Sequence, residues 1–228
     1  MKPRLLRFGT SNSPVVVIDD FTGDSEQVGR LADGLAPFPA ITGNHYPGLR
    51  RIIETLDEDA YAYVLASCER AAPFIGGAFD VSSFDLEEAS FSLVTLEPAE
   101  LQAVQKAPHF DSPDPNVFAL LHYIRVPEGS GTAFYRHRAT QIERITEANL
   151  GLYVAAAQRE LPNVGAKTGY IHDSDPFYEQ IGRIEAEPDR IVLYHGSLLH
   201  SGIIPQGMQF SSDPRKGRLT ANFFLRGR

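Results

Sequence analysis

Val117-Phe118-Ala119-Leu120-Leu121-His122-Tyr123-Ile124-Arg125-Val126 is the strongest strand signal in a chain of 228 residues. It joins β-branched and aromatic residues to aliphatic ones, with no glycine or proline to break it. Working outward, Gly129-Ser130-Gly131 supplies a turn and Thr132-Ala133-Phe134-Tyr135 resumes as a strand. Upstream, Ser90-Phe91-Ser92-Leu93-Val94-Thr95-Leu96 reads the same way. Downstream, so do Arg190-Ile191-Val192-Leu193-Tyr194 and Arg218-Leu219-Thr220-Ala221-Asn222-Phe223-Phe224-Leu225. Before residue 80 the period is helical instead. Helices first and short strands afterwards predict a mainly β (α+β) chain, a sandwich or jelly roll with helices buttressing one face.

The N-terminal part opens with a short strand at Val15-Val16-Val17-Ile18. Asp24 or Ser25 then caps a helix running to about Leu35, with Val28, Leu31 and Leu35 on one face. Pro37 and Pro39 end it, and a loop follows through Gly43-Asn44-His45-Tyr46-Pro47-Gly48. Asp57 caps a second helix with Tyr61, Val64, Leu65 and Cys68 turned inward, which Pro73 and Gly76-Gly77 are expected to stop. A further helix is expected over about 141–160, with Ile142, Ile145, Leu150, Val154 and Ala157 as its apolar face. Residues 162–179 read as a loop-rich stretch. No internal repeat or low-complexity linker appears. The organisation expected is one domain over 1–228: helical support over about 1–80, a core over about 87–226, and an insertion at about 138–180.

Net charge is −8, which argues against a nucleic acid or an anionic membrane surface as partner. The single cysteine, Cys68, forbids an intrachain disulfide and reads as a buried, inert thiol. The N-terminus lacks the apolar run of a signal peptide, and no stretch approaches a transmembrane helix in length. A soluble, cytoplasmic protein is the expectation.

Chemistry gathers at Pro108-His109-Phe110-Asp111. His109 and Asp111 are two apart, so on an extended segment both side chains point to the same side and reach one metal ion. His200, in Leu198-Leu199-His200-Ser201-Gly202, supplies a third ligand. Two imidazoles and a carboxylate on one face of an octahedron leave three positions open, an arrangement suited to non-haem Fe(II).

Three pieces then line up in order: His109-Phe110-Asp111; Tyr123-Ile124-Arg125-Val126-Pro127-Glu128-Gly129-Ser130-Gly131-Thr132-Ala133-Phe134; and His200 followed by Arg218-Leu219-Thr220. Together they resemble the 2-oxoglutarate- and Fe(II)-dependent dioxygenase superfamily, and within it a bacterial offshoot of the prolyl-4-hydroxylase-like branch. The resemblance covers about residues 90–226. It implies a double-stranded β-helix, Fe(II) held by His109, Asp111 and His200, 2-oxoglutarate as cosubstrate, and O₂. Arg218 would grip the distal carboxylate of 2-oxoglutarate, because a guanidinium fork matches its two oxygens. Thr220 shares the strand face of Arg218, and Tyr123 would add a hydrogen bond from a neighbouring strand. Two features depart from the family pattern. Ser130 splits the usual glycine pair of the hairpin. Arg218 replaces the more common lysine and follows a long loop from Gln206 to Gly217.

The remaining candidates rank below these. Asn116, Tyr135 and Asn222 could line a substrate pocket. His122 alternates with Tyr123 and so faces the other way, a structural position. His137 is expected on a solvated loop, His195 in a turn, and His45 in a loop near the cleft. His172-Asp173-Ser174-Asp175 is a rival metal motif without a downstream partner, so Asp173 reads as a turn residue. The function expected is a 2-oxoglutarate- and Fe(II)-dependent oxygenase, a hydroxylase of a small-molecule or peptide substrate that the sequence does not name. A jelly roll kept only for binding or sensing is the first alternative. A Zn-dependent hydrolase is the second, and it leaves Arg218 without a purpose. Oligomeric state is not legible.

Overall fold

The structure is a computed structural model that describes residues 1–40 and 46–228; His45 lies outside them. Ten strands and three helices follow in the order β1 (Lys2–Phe8), β2 (Ser13–Asp19), α1 (Ser25–Gly34), β3 (Gly48–Ile52), α2 (Glu58–Phe79), β4 (Phe84–Val94), β5 (Val117–Arg125), β6 (Gly131–His137), α3 (Glu147–Gly165), β7 (Tyr178–Glu185), β8 (Arg190–His195), β9 (His200–Ile203) and β10 (Arg218–Gly227). Seven strands form one antiparallel sheet in the order β1-β2-β8-β5-β10-β4-β3, and β7-β6-β9 form a second. The expected jelly roll with helical buttresses is what the chain builds.

Strand alternation decides which face each side chain serves. On β10, Leu219, Ala221, Phe223 and Leu225 join the core beneath the helices, with Val64, Ile75 and Phe79 of α2. Arg218, Thr220, Asn222 and Phe224 point the other way, between the sheets. There a second cluster packs Val15, Val17, Leu121 and Tyr123 of the large sheet against Phe134 and Ile184 of the small one. A third lies outside the small sheet, where Tyr135, Tyr178 and Ile203 meet Ile145 and Tyr153.

The N-terminal helices form where expected, but Asp57, at the N-cap of α2, makes no capping hydrogen bond with its side chain. Asp24 caps α1 by accepting from the Gln27 amide at 2.9 Å. By contrast, α2 does not stop at Pro73 or Gly76-Gly77. It runs to Phe79 and ends where Asp80 adopts φ 56°. An interior proline costs about 3 kcal/mol and each glycine about 1 kcal/mol. Burial of Ile75 and Phe79 returns about 1.5–3 kcal/mol each, and the added turn keeps its backbone hydrogen bonds. The Phe79 ring packs 4.8 Å from Phe118 and 4.9 Å from His195. Leu65, expected inward, is 47% exposed, whereas Val64 and Tyr61 do pack inward. Cys68 is half-buried against the core, and burial pushes its thiol up to about 11.

Residues 1–80 are more than helical support, because β1, β2 and β3 belong to the large sheet. The helix expected at 141–160 begins only at Glu147. Ile142 and Ile145 stay extended, since Ile145 donates to the Ser197 carbonyl at 2.8 Å and Arg144 bridges to Leu198. Val154 is 36% exposed rather than inward. The stretch expected as loop up to Glu179 contains the end of α3 and the start of β7. The hairpin before β6 explains its split glycines. Gly129 has φ +77°, and a Cβ on Gly131 would stand 2.2 Å from the Ile184 carbonyl oxygen. Ser130 between them meets neither constraint, so a side chain is tolerated there.

Candidate metal centre

His109, Asp111 and His200 converge between the sheets. His109 and His200 exchange backbone hydrogen bonds at 2.9 and 2.8 Å as an antiparallel bridge, which sets their rings 4.3 Å apart. Asp111 is anchored by its amide to the Gly196 carbonyl at 2.7 Å. The Nε2 atoms of His109 and His200 then lie 3.9 and 3.8 Å from the two carboxylate oxygens of Asp111. One ligand atom from each residue falls within 4.8 Å of the others.

The electrostatics mark this cluster as unfinished. Burial pushes the Asp111 carboxyl up to about 6, against the opposing pull of His109 and Arg50. Its Oδ2 is buried and completes no hydrogen bond. Burial also lowers His200 to about 4, so its imidazole is neutral near pH 7. His200 Nδ1 sits 2.8 Å from the Leu198 carbonyl oxygen, which accepts only if Nδ1 carries the proton. Nε2 is then left with its lone pair toward Asp111, the tautomer a metal ligand needs. Tyr194 packs edge-on against the same ring at 4.8 Å and holds its orientation. Borderline nitrogen donors, one carboxylate and an orphaned buried oxygen fit a divalent transition metal.

Arg218 occupies the same inter-sheet space. It is 5% exposed, and among the described residues no carboxylate pairs with it. Its Nη2 donates to the Gly131 carbonyl at 3.3 Å, its guanidinium lies 5.8 Å from the Tyr123 ring centroid, and its Nε has no partner. The neighbours Arg215 and Lys216 are exposed. Thr220 is buried on the same face, and Tyr123 exchanges a 2.7 Å hydrogen bond with Thr132 Oγ1. A buried guanidinium that finds no counter-anion among the described residues costs several kcal/mol, a cost that a bound anion would offset.

The second-tier residues divide. Asn222 faces the inter-sheet space and donates to Ser92 Oγ at 2.7 Å. Tyr135 does not line that space; it is buried in the cluster beneath α3, because β6 turns alternate residues to opposite sides. Asn116 is exposed, its amide donating to Asp114 Oδ1 at 2.8 Å in a turn. His122 is on the helix side as expected, fully buried with Tyr63 Oη at 2.7 Å and Asp189 Oδ1 at 3.1 Å. His137 is not on a solvated loop. It is fully buried at the end of β6, with Glu160 and Thr140 both 2.8 Å from its ring nitrogens. His195 ends β8, 3.0 Å from the Pro115 carbonyl oxygen. Asp173 is exposed, and Asp175 accepts from the Phe177 and Tyr178 amides, so that segment is a turn.

Sequence reading passed over Arg50. Its Nη2 donates to Glu88 Oε1 at 2.5 Å and to Ser90 Oγ at 2.9 Å, and its charge bears on Asp111. The signal was present but faint: Arg50 pairs with Ser92 across β3 and β4, and β3 is a five-residue edge strand.

Known structures share this architecture at low identity. HygX from Streptomyces hygroscopicus, with nickel and 2-oxoglutarate bound, is 15% identical with a TM-score of 0.53, over 95% of this chain and 84% of that one. The non-heme alpha ketoglutarate dependent epimerase SnoN from nogalamycin biosynthesis is 13% identical with a TM-score of 0.54, over 94% and 78%. The collagen prolyl hydroxylase vCPH from Paramecium Bursaria Chlorella virus-1, in its 2OG complex, is 11% identical with a TM-score of 0.50, over 94% and 96%. At these identities the likeness is one of fold, the double-stranded β-helix that the motifs imply. No curated protein sequence matches the chain. A family model matches residues 1–225, and the chain therefore belongs to the family described as "Family of unknown function (DUF6445)".

Proposed function

We propose that this protein is a 2-oxoglutarate- and Fe(II)-dependent oxygenase. The observation that carries the reading is Arg218, a buried guanidinium with no carboxylate partner among the described residues, in the same inter-sheet space as the His109-Asp111-His200 cluster. A metal centre with an anion-binding end beside it suits a ligand that chelates with one end and presents a carboxylate at the other. His109, Asp111 and His200 would hold Fe(II), which when bound supplies the O₂ chemistry. Asp111 offsets part of the metal's charge, and the Leu198 carbonyl keeps the His200 lone pair in place. Arg218 receives the distal carboxylate, with the Thr220 and Tyr123 hydroxyls on the same face to orient it. The apolar wall of Leu121, Tyr194 and Phe134 limits water at the reacting end.

The structures of shared fold support the class: HygX is described with iron, with nickel and 2-oxoglutarate, and with hygromycin B, and a Trichoplax adhaerens prolyl hydroxylase with a peptide. The substrate is read as a small molecule or peptide, and hydroxylation as the reaction. Among the described residues no helix is long and apolar enough to cross a membrane. A cytoplasmic location remains part of this reading.

The test is anaerobic titration with Fe(II) and then 2-oxoglutarate, followed by the visible charge-transfer band of the chelate. The band should vanish in His109→Ala. In Arg218→Ala the 2-oxoglutarate affinity should fall about tenfold to a hundredfold, the size of a charge-assisted pair. Metal binding without any band would overturn the reading and favour the zinc hydrolase.

A further inference from the structure

Tyr46 lies two residues before the start of β3, outside every motif of the site, yet its side chain enters the space that Arg218 occupies. Its backbone is held from three sides. Gly48 donates to the Tyr46 carbonyl at 3.0 Å, and Gln105 Nε2 reaches the same oxygen at 3.4 Å. The next residue, Pro47, accepts from the Thr95 and Leu96 amides at 3.1 and 3.3 Å. This approach needs glycine at 48, where a Cβ would stand 1.8 Å from the Leu93 carbonyl oxygen. The ring packs against Val94, Leu101, Tyr170 and Ile204.

The hydroxyl of Tyr46 is buried and, among the described residues, completes no hydrogen bond of good geometry. Burial raises the ionisation range of the phenol, and the charges of Arg218 and Arg50 and the nearby hydroxyls of Ser92 and Thr220 oppose that rise. A buried phenol whose nearest hydroxyls, Ser92 and Thr220, fall short of good hydrogen-bond geometry carries part of the cost of a lost hydrogen bond, unless a ligand supplies the acceptor. Tyr46 Oη and Arg218 Nε are both orphaned donors in that space. Two unmet donors, one of them cationic, specify an anion with more than one acceptor oxygen.

We propose that Tyr46 is a cosubstrate-binding residue that donates its phenolic proton to the carboxylate held by Arg218. The inference rests on the 2-oxoglutarate reading above and adds to it. The anion pocket is then completed by a residue from outside the β-helix core, delivered by the close pairing of β3 with β4. Tyr46 selects for ligands long enough to carry a second carboxylate to it.

The experiment compares two chelating probes on the Fe(II)-loaded full chain by anaerobic calorimetry: 2-oxoglutarate, which has the distal carboxylate, and oxalate, which lacks it. Tyr46→Phe keeps the ring and its packing. It should weaken 2-oxoglutarate about tenfold and leave oxalate within about twofold. Equal weakening of both probes would mean that Tyr46 only supports the site, and would overturn the inference. So would unchanged affinity for 2-oxoglutarate. Arg218→Ala separates the two levels. If it weakens 2-oxoglutarate while Tyr46→Phe does not, this inference alone falls. If Arg218→Ala leaves 2-oxoglutarate binding unchanged, the cosubstrate reading falls with it.

Discussion

Asp111 shows how a single side chain can be costly alone and useful with a ligand. Its carboxylate is buried between two imidazoles, with one oxygen unpartnered and its protonation range pushed up to about 6. A carboxyl whose folded pKa lies above its unfolded value destabilises the fold as pH rises past the unfolded value. Asp111→Asn removes that charge at nearly constant shape. Without metal, the variant should therefore melt at or above the wild-type temperature at pH 8. The wild type should gain several degrees on Ni(II) addition, since a ligand at about a hundred times its Kd adds about 2.7 kcal/mol. The variant should gain little. Thermal melting with and without Ni(II) checks both, and a variant that still responds to the metal would remove Asp111 from the centre.

At the scale of elements, α2 argues that burial overrides local propensity. Pro73, Gly76 and Gly77 all oppose a helix, yet the helix continues because Ile75 and Phe79 reach the sheet from its last turn. Phe79→Ala should cost about 3–5 kcal/mol in urea unfolding, as expected for a fully packed aromatic. Leu65→Ala, on the exposed side of the same helix, should change stability by less than about 0.5 kcal/mol. Reversal of that order would mean that the helix is rotated on the sheet. The strands divide in a similar way. β2, β5, β8 and β10 lie inside the large sheet, and all four announce themselves in the sequence. β1, β3 and β7 are edge strands, and none of them does. An edge strand is paired on one side and partly wetted, so it carries arginine, glutamate and glycine that read as loop.

At the scale of the whole molecule, Glu143 fastens the β1-β2 hairpin to the small sheet. It accepts from the Thr10 and Ser11 amides at 3.0 and 2.8 Å, and from Arg136 Nε at 2.8 Å. Those bonds hold its carboxyl down to about 2 although burial opposes them. With the folded pKa depressed, the stabilisation is complete above the unfolded value of about 4.5 and is lost as pH falls toward 2. It amounts to about 2–3 kcal/mol. Wild-type stability should therefore drop between pH 5 and pH 2, and Glu143→Gln should flatten that part of the profile. Urea midpoints across this range measure it, and parallel profiles would rule Glu143 out as the acid-sensitive tie.

By itself the sequence determined the central strands, the fold class, and which residues could ligate a metal or grip a carboxylate. These properties are local: hydrophobic alternation is written into consecutive residues, and His109 and Asp111 need only their spacing of two. The tertiary structure decided the rest. His109 and His200 come together because their backbones pair across the chain, and Arg218 stands apart from the surface arginines because it is buried with no carboxylate to match it among the described residues. Tyr46 and Arg50 enter the site only because β3 pairs with β4. Tyr135 and His137, by contrast, are withdrawn beneath α3. Burial and long-range pairing are properties of where distant segments meet, and no window of neighbouring residues contains them.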